Sequence, residues 1–63
     1  MKNMNHGEYQ KQVKTQSTKS LVYTIQDCKE AIAAWPSSDN AGYYADEIHY
    51  CAAELKRRGY YNN

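Results

Sequence analysis

The chain has 63 residues, of which 8 are basic and 7 are acidic, so its formal net charge is +1 at pH 7. A chain of this length buries only about 60% of the surface that it exposes when unfolded. It therefore forms one domain at most, and its core needs a staple or a second subunit. The near-neutral charge excludes a strong field that would steer the protein onto nucleic acid or an anionic membrane.

The cysteines and the polar amino-terminal segment bear on where the protein acts. Cys28 and Cys51 lie far apart in the sequence, which is not the pattern of a small disulfide-rich secreted domain. Residues 1–20 lack the apolar segment of a secretory signal, and no apolar run approaches the length of a membrane span. We therefore expect a cytoplasmic protein with free thiols and no membrane contact.

Residues 1–16 differ in composition from the rest of the chain. They are rich in Lys, Gln and Asn, and Tyr9 with Val13 is their only apolar pair at helical spacing. A polar segment of this kind has little apolar surface to bury. The sequence predicts a flexible tail with at most a short, marginal helix.

A regular apolar seam predicts a helix over residues 17–35. Ser17 or Thr18 can cap its start, and Pro36 ends it, because proline lacks an N–H and forces the preceding residue away from helical geometry. The seam recurs at alternating steps of four and three residues, the pattern of one helix face. It consists of Leu21, Ile25, Cys28, Ile32 and Trp35.

A second seam predicts a helix over residues 41–58, after a polar turn over residues 36–40. Gly59 is placed to end this helix, and its last turn is basic, which suits the helix dipole. Residues 60–63 are predicted to form a short tail. The second seam consists of Tyr44, Ile48, Cys51 and Leu55.

The short connection predicts that the two helices are antiparallel neighbours. The predicted fold class is therefore all-α, with a helical hairpin over residues 17–59. Folding the chain about Asp39 brings the two seams level. The expected neighbours are Trp35 with Tyr44, Ile32 with Ile48, Cys28 with Cys51, and Ile25 with Leu55.

The apolar face is wider than the contact between two helices can use. We therefore expect a second hairpin to cover it, giving a homodimer that forms a four-helix bundle through the two seams. The alternative is a monomer whose tyrosine rings shield the seam from water. The residues beside the seams are Val22, Ala31, Ala45, Ala52, Tyr23, Tyr43 and Tyr50.

The sequence contains no pattern for a metal site, a cofactor or catalysis, so we expect a protein that is not an enzyme. The predicted register would bring Cys28 and Cys51 level, but His49 lies on nearly the opposite helix face from Cys51 and completes no zinc site. Asp46, Glu47 and His49 spread over outer helix faces, with no nucleophile beside the histidine. Both thiols are expected to be reduced core side chains.

The aromatic content favours a protein that acts by contact with another protein. The chain has seven tyrosines and no phenylalanine, and Tyr and Arg contribute disproportionately to binding interfaces. Nucleic-acid binding is the alternative, because the basic residues 56–58 precede two tyrosines whose rings could stack on bases. The balanced total charge makes phosphate neutralisation weak. The candidate partner-binding residues are Tyr43, Tyr50, Arg57, Arg58, Tyr60 and Tyr61.

Two segments carry a resemblance to a known family. They read YTIxDCxEAI over residues 23–32 and AGYYxDEIHYCxxELxRR over residues 41–58. The chain resembles a family of small helical-hairpin accessory proteins of temperate, lambda-like bacteriophages, encoded in the early lytic region between exonuclease and excisionase. The similarity runs over residues 17–58. It implies a dimerising hairpin in the bacterial host cytoplasm that acts on host or phage regulation by contact, and it supplies no established binding residues.

Overall fold

The computed structural model describes residues 5–60. They form three helices and no strand, which confirms the all-α prediction. We label the helices α1 (His6–Thr15), α2 (Thr18–Ala34) and α3 (Ala41–Arg57). None of the three is long and apolar enough to span a membrane.

Helix α1 lies within the segment that the sequence predicts to be a flexible tail. The side chain of Asn5 accepts a hydrogen bond from the backbone N–H of Glu8 at 3.1 Å, which caps the start of the helix. Val13 is only 3% exposed and packs in the same cluster as Leu21 and Leu55. A helix this short is marginal alone. Burial of its apolar face against the rest of the chain therefore accounts for its presence.

Helix α2 has the limits that its capping residues predict. The hydroxyl of Ser17 accepts from the backbone N–H of Ser20 at 3.1 Å. The helix ends before Trp35, whose φ of −146° and ψ of 69° lie outside the helical region. Pro36 follows directly, and proline disfavours the helical region for the residue before it.

Helix α3 ends in a turn that reverses the chain at Gly59. The φ of Gly59 is 83°, a left-handed conformation that glycine adopts without strain. The N–H of Gly59 donates to the carbonyl of Lys56 at 3.0 Å, and that of Tyr60 donates to the carbonyl of Leu55 at 2.9 Å. This pair of bonds is a Schellman motif, and it confirms Gly59 as the residue that ends the helix.

Helices α2 and α3 pack antiparallel, but one turn away from the predicted register. Cys28 Sγ lies 3.5 Å from Glu47 Oε2, whereas the prediction set Cys28 beside Cys51, one turn further along. The cause is the position of the turn. Because the connection spans residues 35–40, its centre lies before Asp39, and the partner of each α2 residue moves by one helical turn.

The seam residues divide into buried, partly buried and exposed positions. Ile32, Tyr44 and Ile48 are partly buried. Trp35 lies outside the core, with 70% of its surface exposed, because it follows the last helical turn and is no longer on the inner face. The buried members of the seam are Leu21, Ile25, Cys28, Cys51 and Leu55.

The position of α1 changes where a second subunit could bind. Leu21, Cys51 and Leu55 are fully buried within one chain. Val13 and Tyr9 of α1 pack against this cluster, so α1 covers part of the surface that a second hairpin was expected to cover. The homodimer stays a prediction, and any such dimer would need a surface other than these three residues.

Candidate functional site

Arg58, a candidate for partner binding, is used inside the chain to join the three helices. Its guanidinium donates to the carbonyls of Val13 at 3.2 Å, Lys14 at 3.3 Å and Gln16 at 2.7 Å. It also donates to Thr18 Oγ1 at 3.1 Å. The last carbonyls of a helix have no partner within it. Arg58 therefore caps the end of α1 and ties it to the start of α2 and the end of α3.

Glu54 is a buried carboxylate that holds Arg58 in place. The residue is 5% exposed. Arg57 Nη2 lies 2.6 Å and Arg58 Nε 2.7 Å from Glu54 Oε2. Hydrogen bonds from Arg57 and Arg58 lower the pKa of Glu54 to about 2. The sequence reading missed this residue, although its spacing of three and four to the two arginines is a signal for ion pairs on a helix.

The depressed pKa of Glu54 predicts how stability depends on pH. Because the pKa is about 2 in the folded chain and 4.5 ordinarily, the stabilisation is present above pH 4.5 and is lost as pH falls towards 2. Melting followed by circular dichroism should show a falling melting temperature over this range, and Glu54→Gln should flatten that dependence. An unchanged slope in the variant would contradict the role of this carboxylate.

Tyr50 and Tyr43, two further partner-binding candidates, also make contacts within the chain. Tyr50 Oη lies 2.7 Å from His6 Nδ1, and its ring lies 5.9 Å from that of Tyr9. The ring of Tyr43 packs edge-on against Tyr44 at 6.1 Å, and both are partly buried. Tyr50 therefore helps to hold α1 against α3, whereas Tyr43 packs within α3. Both rings are only partly available to a partner.

A polar cluster lies between the helices around the two cysteines. Tyr9 Oη donates to Glu47 Oε2 at 3.2 Å and lies 3.7 Å from Cys51 Sγ. Cys28 Sγ lies 3.5 Å from the same oxygen of Glu47. Both cysteines are free and buried. Burial, with the Glu47 carboxylate next in effect, raises the pKa of the Cys28 thiol to about 12. Burial also raises the pKa of Cys51.

The thiols are therefore expected to be passive core groups. A thiol-reactive disulfide reagent at pH 8 should modify Cys28 and Cys51 slowly in the native protein and rapidly in urea, because reaction requires the thiolate. Changing both to Ala should lower the free energy of unfolding by about 1–3 kcal/mol through lost packing. Rapid modification of the native protein, or unfolding by a reductant alone, would contradict this interpretation.

The surface best suited to a partner lies along α2, beside Tyr60, which follows the turn at Gly59. Tyr23 is 54% exposed and Tyr60 is 50% exposed. Two adjoining depressions, of ≈ 300 and ≈ 450 Å³, both contain Val22 and Tyr60 in their walls. We call this surface the aromatic groove. Its residues are Thr18, Lys19, Val22, Tyr23, Ile25, Gln26, Lys29 and Tyr60.

The charged side chains that border the aromatic groove are positive. Lys19 borders one depression and Lys29 borders the other. The ammonium nitrogen of Lys19 lies 5.8 Å from the centroid of the Tyr23 ring. Among the described residues, no carboxylate lines either depression. The groove therefore presents two exposed rings and apolar side chains between two cations.

The sequence candidates agree with this surface only at Tyr60. Tyr61 lies outside the described residues. Arg57 is largely exposed but pairs with Glu54, away from the groove. Tyr23 was placed among residues flanking the dimer seam, and its grouping with Tyr60 depends on the turn at Gly59. No periodicity along either helix could reveal that the two residues line one depression.

A separate depression lies between α1 and α3. Its volume is ≈ 260 Å³, and the Glu54–Arg57 ion pair forms part of its wall. Lys14 and His49 stand beside that pair. Because its principal charges are already paired within the chain, we regard this depression as a less suitable binding surface than the aromatic groove.

No family model, curated protein or solved structure matches the chain. Among residues 5–60, no group of three or more His, Cys, Asp or Glu side chains is placed to hold a metal ion. The exposed aromatic side chains and the two lysines of the aromatic groove make it the principal candidate site.

Proposed function

We propose that the protein is a non-enzymatic bacteriophage accessory protein that binds a host or phage protein through the aromatic groove. The observation that carries the proposal is the grouping of two half-exposed tyrosines, Tyr23 and Tyr60, over the apolar side chain of Val22. The resemblance over residues 17–58 supplies the setting, which is early lytic growth in the host cytoplasm.

The groove has the properties of a protein-binding hot spot. Tyrosine contributes a large apolar ring at a low cost in side-chain entropy, and its hydroxyl tolerates a partly wet interface. Tyr23 stands on α2, and the backbone of Tyr60 is held by the hydrogen bond from its N–H to the carbonyl of Leu55. Because these supports are formed in the free chain, binding need not order them first.

Nucleic-acid binding is the alternative function, and the contacts of the arginines weigh against it. That hypothesis uses the basic end of α3 together with the terminal tyrosines. Arg57 and Arg58 both pair with Glu54, which reduces the positive charge available to phosphates. Lys19 and Lys29 remain in the groove, but two lysines give only a weak phosphate-dependent affinity.

A variant pair tests the proposed function in lysate from a bacterial host. The tagged protein should capture a protein from nuclease-treated lysate, and Tyr23→Ser with Tyr60→Ser should abolish capture. Trp35→Ser is the matched control, because Trp35 is an exposed aromatic residue outside the groove. Capture that survives the double change, or that disappears with nuclease and returns on adding DNA at physiological salt, would overturn the proposal.

The homodimer is a separate proposal that sedimentation can test. We propose that two copies associate, because a chain of this size gains stability when a partner covers its apolar surface. At micromolar concentration, sedimentation should give twice the chain mass. A single species of 7.3 kDa would contradict the dimer.

A further inference from the structure

We infer that the partner docks an amphipathic helix into the aromatic groove, with acidic residues beside the apolar stripe of that helix. The inference rests on the proposed function and specifies the chemistry of the bound segment. It follows from the shape of the groove and from the sign of the charges at its edges.

The shape fits a helix that lies along α2. The two depressions share Val22 and Tyr60 and follow one another along α2, with their centres about one and a half helical turns apart. Side chains at positions i, i+4 and i+7 of an amphipathic helix project from one face at a comparable spacing. Two or three large apolar side chains of such a helix can enter the depressions, between the rings of Tyr23 and Tyr60.

The charges select an acidic helix over a basic one. Lys19 and Lys29 border different depressions and stand ten residues apart on α2, which is about 15 Å along the helix. No carboxylate lines the groove among the described residues, so neither lysine is neutralised from within it. A glutamate or aspartate at each end of the apolar stripe of the bound helix would lie near one of the two lysines. A basic segment would be repelled.

The partly exposed side chain of Val22, which lines both depressions, favours a protein segment over nucleic acid. An aliphatic surface gains most from burying another apolar side chain. A nucleic-acid strand would use mainly the two tyrosine rings and the two lysines. A helical peptide uses the rings, the aliphatic side chain and the lysines together.

The test uses the full chain and two designed peptides. Each peptide is an amphipathic helix of about 18 residues, five turns long, with leucines along one face. One carries glutamates beside the leucines, and the other carries lysines at the same positions. Fluorescence anisotropy at physiological salt should show the wild-type protein binding the acidic peptide about tenfold more tightly than the basic one.

Charge reversal in the protein should reverse that preference. The groove variant combines Lys19→Glu with Lys29→Glu, and the matched control combines Lys11→Glu with Lys14→Glu on α1. Both variants change the net charge equally, and circular dichroism confirms that each is folded. The groove variant should favour the basic peptide, while the control should retain the wild-type preference.

The contrary outcomes separate this inference from the proposed function. Equal binding of both peptides, or an equal loss in the control variant, would overturn the acidic specificity while leaving tyrosine-dependent capture intact. If the variant that combines Tyr23→Ser with Tyr60→Ser bound the acidic peptide as tightly as the wild-type protein, the groove would be excluded as the binding site of the peptide. Displacement of the peptide by a short oligothymidine at physiological salt would show that the groove binds nucleic acid and not a helix. A dimer that dissociates only in the groove variant would identify a second copy as the occupant.

Discussion

Val13→Asp is expected to remove a large part or all of the free energy of unfolding at 25 °C. Val13 is 3% exposed and lies in the cluster that contains Leu21 and Leu55. Placing an unpaired carboxylate there costs about 3–5 kcal/mol. The whole chain has a stability on the order of 3–9 kcal/mol for its length. Urea denaturation followed by circular dichroism measures the loss.

The neighbouring residue provides the control for this change. Gln12 is exposed on the same helix, so Gln12→Asp introduces the same group without burying it. This variant should unfold at nearly the wild-type urea concentration. If Val13→Asp behaved like Gln12→Asp, residues 6–15 would be the flexible tail that their composition suggests, and the three-helix core would be wrong.

Arg58→Met is expected to lower the free energy of unfolding by about 2–4 kcal/mol. Methionine keeps much of the aliphatic chain but removes every hydrogen bond of the guanidinium. The carbonyls of Val13 and Gln16 then lose the donor that caps α1, and Glu54 keeps only Arg57 as its ionic partner. Chemical denaturation gives the change in stability.

Arg57→Met is the matched control for Arg58→Met. Arg57 also pairs with Glu54, but 64% of its side chain is exposed, and exposed ion pairs contribute little to stability. Arg57→Met should lower the free energy of unfolding by only a small part of the amount expected for Arg58→Met. Equal losses from the two changes would show that Arg58 stabilises the chain through the shared ion pair alone and not by joining the helices.

The hairpin could be predicted from sequence because local signals agree with periodicity there. Ser17 caps the start of α2, and Pro36 lies just beyond its end. Gly59 ends α3, and residues 35–40 connect the two helices. Each of these residues acts through its own backbone geometry or through neighbours within four positions. Such effects can be read along the chain without knowing the tertiary structure.

The register and α1 could not be predicted because they depend on contacts between distant residues. The pivot was placed at Asp39, but the seams repeat every turn, so a shift by one turn keeps similar apolar contacts. Val13 and Tyr9 form too small an apolar face to predict a packed helix. Their burial depends on the core around Leu55 and on the polar contact with Glu47.

The binding candidates were chosen by residue type, and residue type does not determine exposure. Tyr50 and Arg58 have the chemistry of interface residues, yet both make contacts that join α1 to α3. Tyr23 and Tyr60 lie far apart in the sequence and line the same depression only because Gly59 reverses the chain. A sequence pattern can identify aromatic residues, but the fold decides which of them remain available.

Site-specific photo-crosslinking in host cells tests most directly whether the aromatic groove is the binding surface. The photoreactive residue p-benzoyl-phenylalanine would replace Tyr60 in one variant and Trp35 in another, since both positions are exposed. We expect irradiation to attach a host or phage protein at position 60 and none at position 35. Equal adducts at both positions, or an adduct at position 60 that consists only of nucleic acid, would contradict protein binding through the groove.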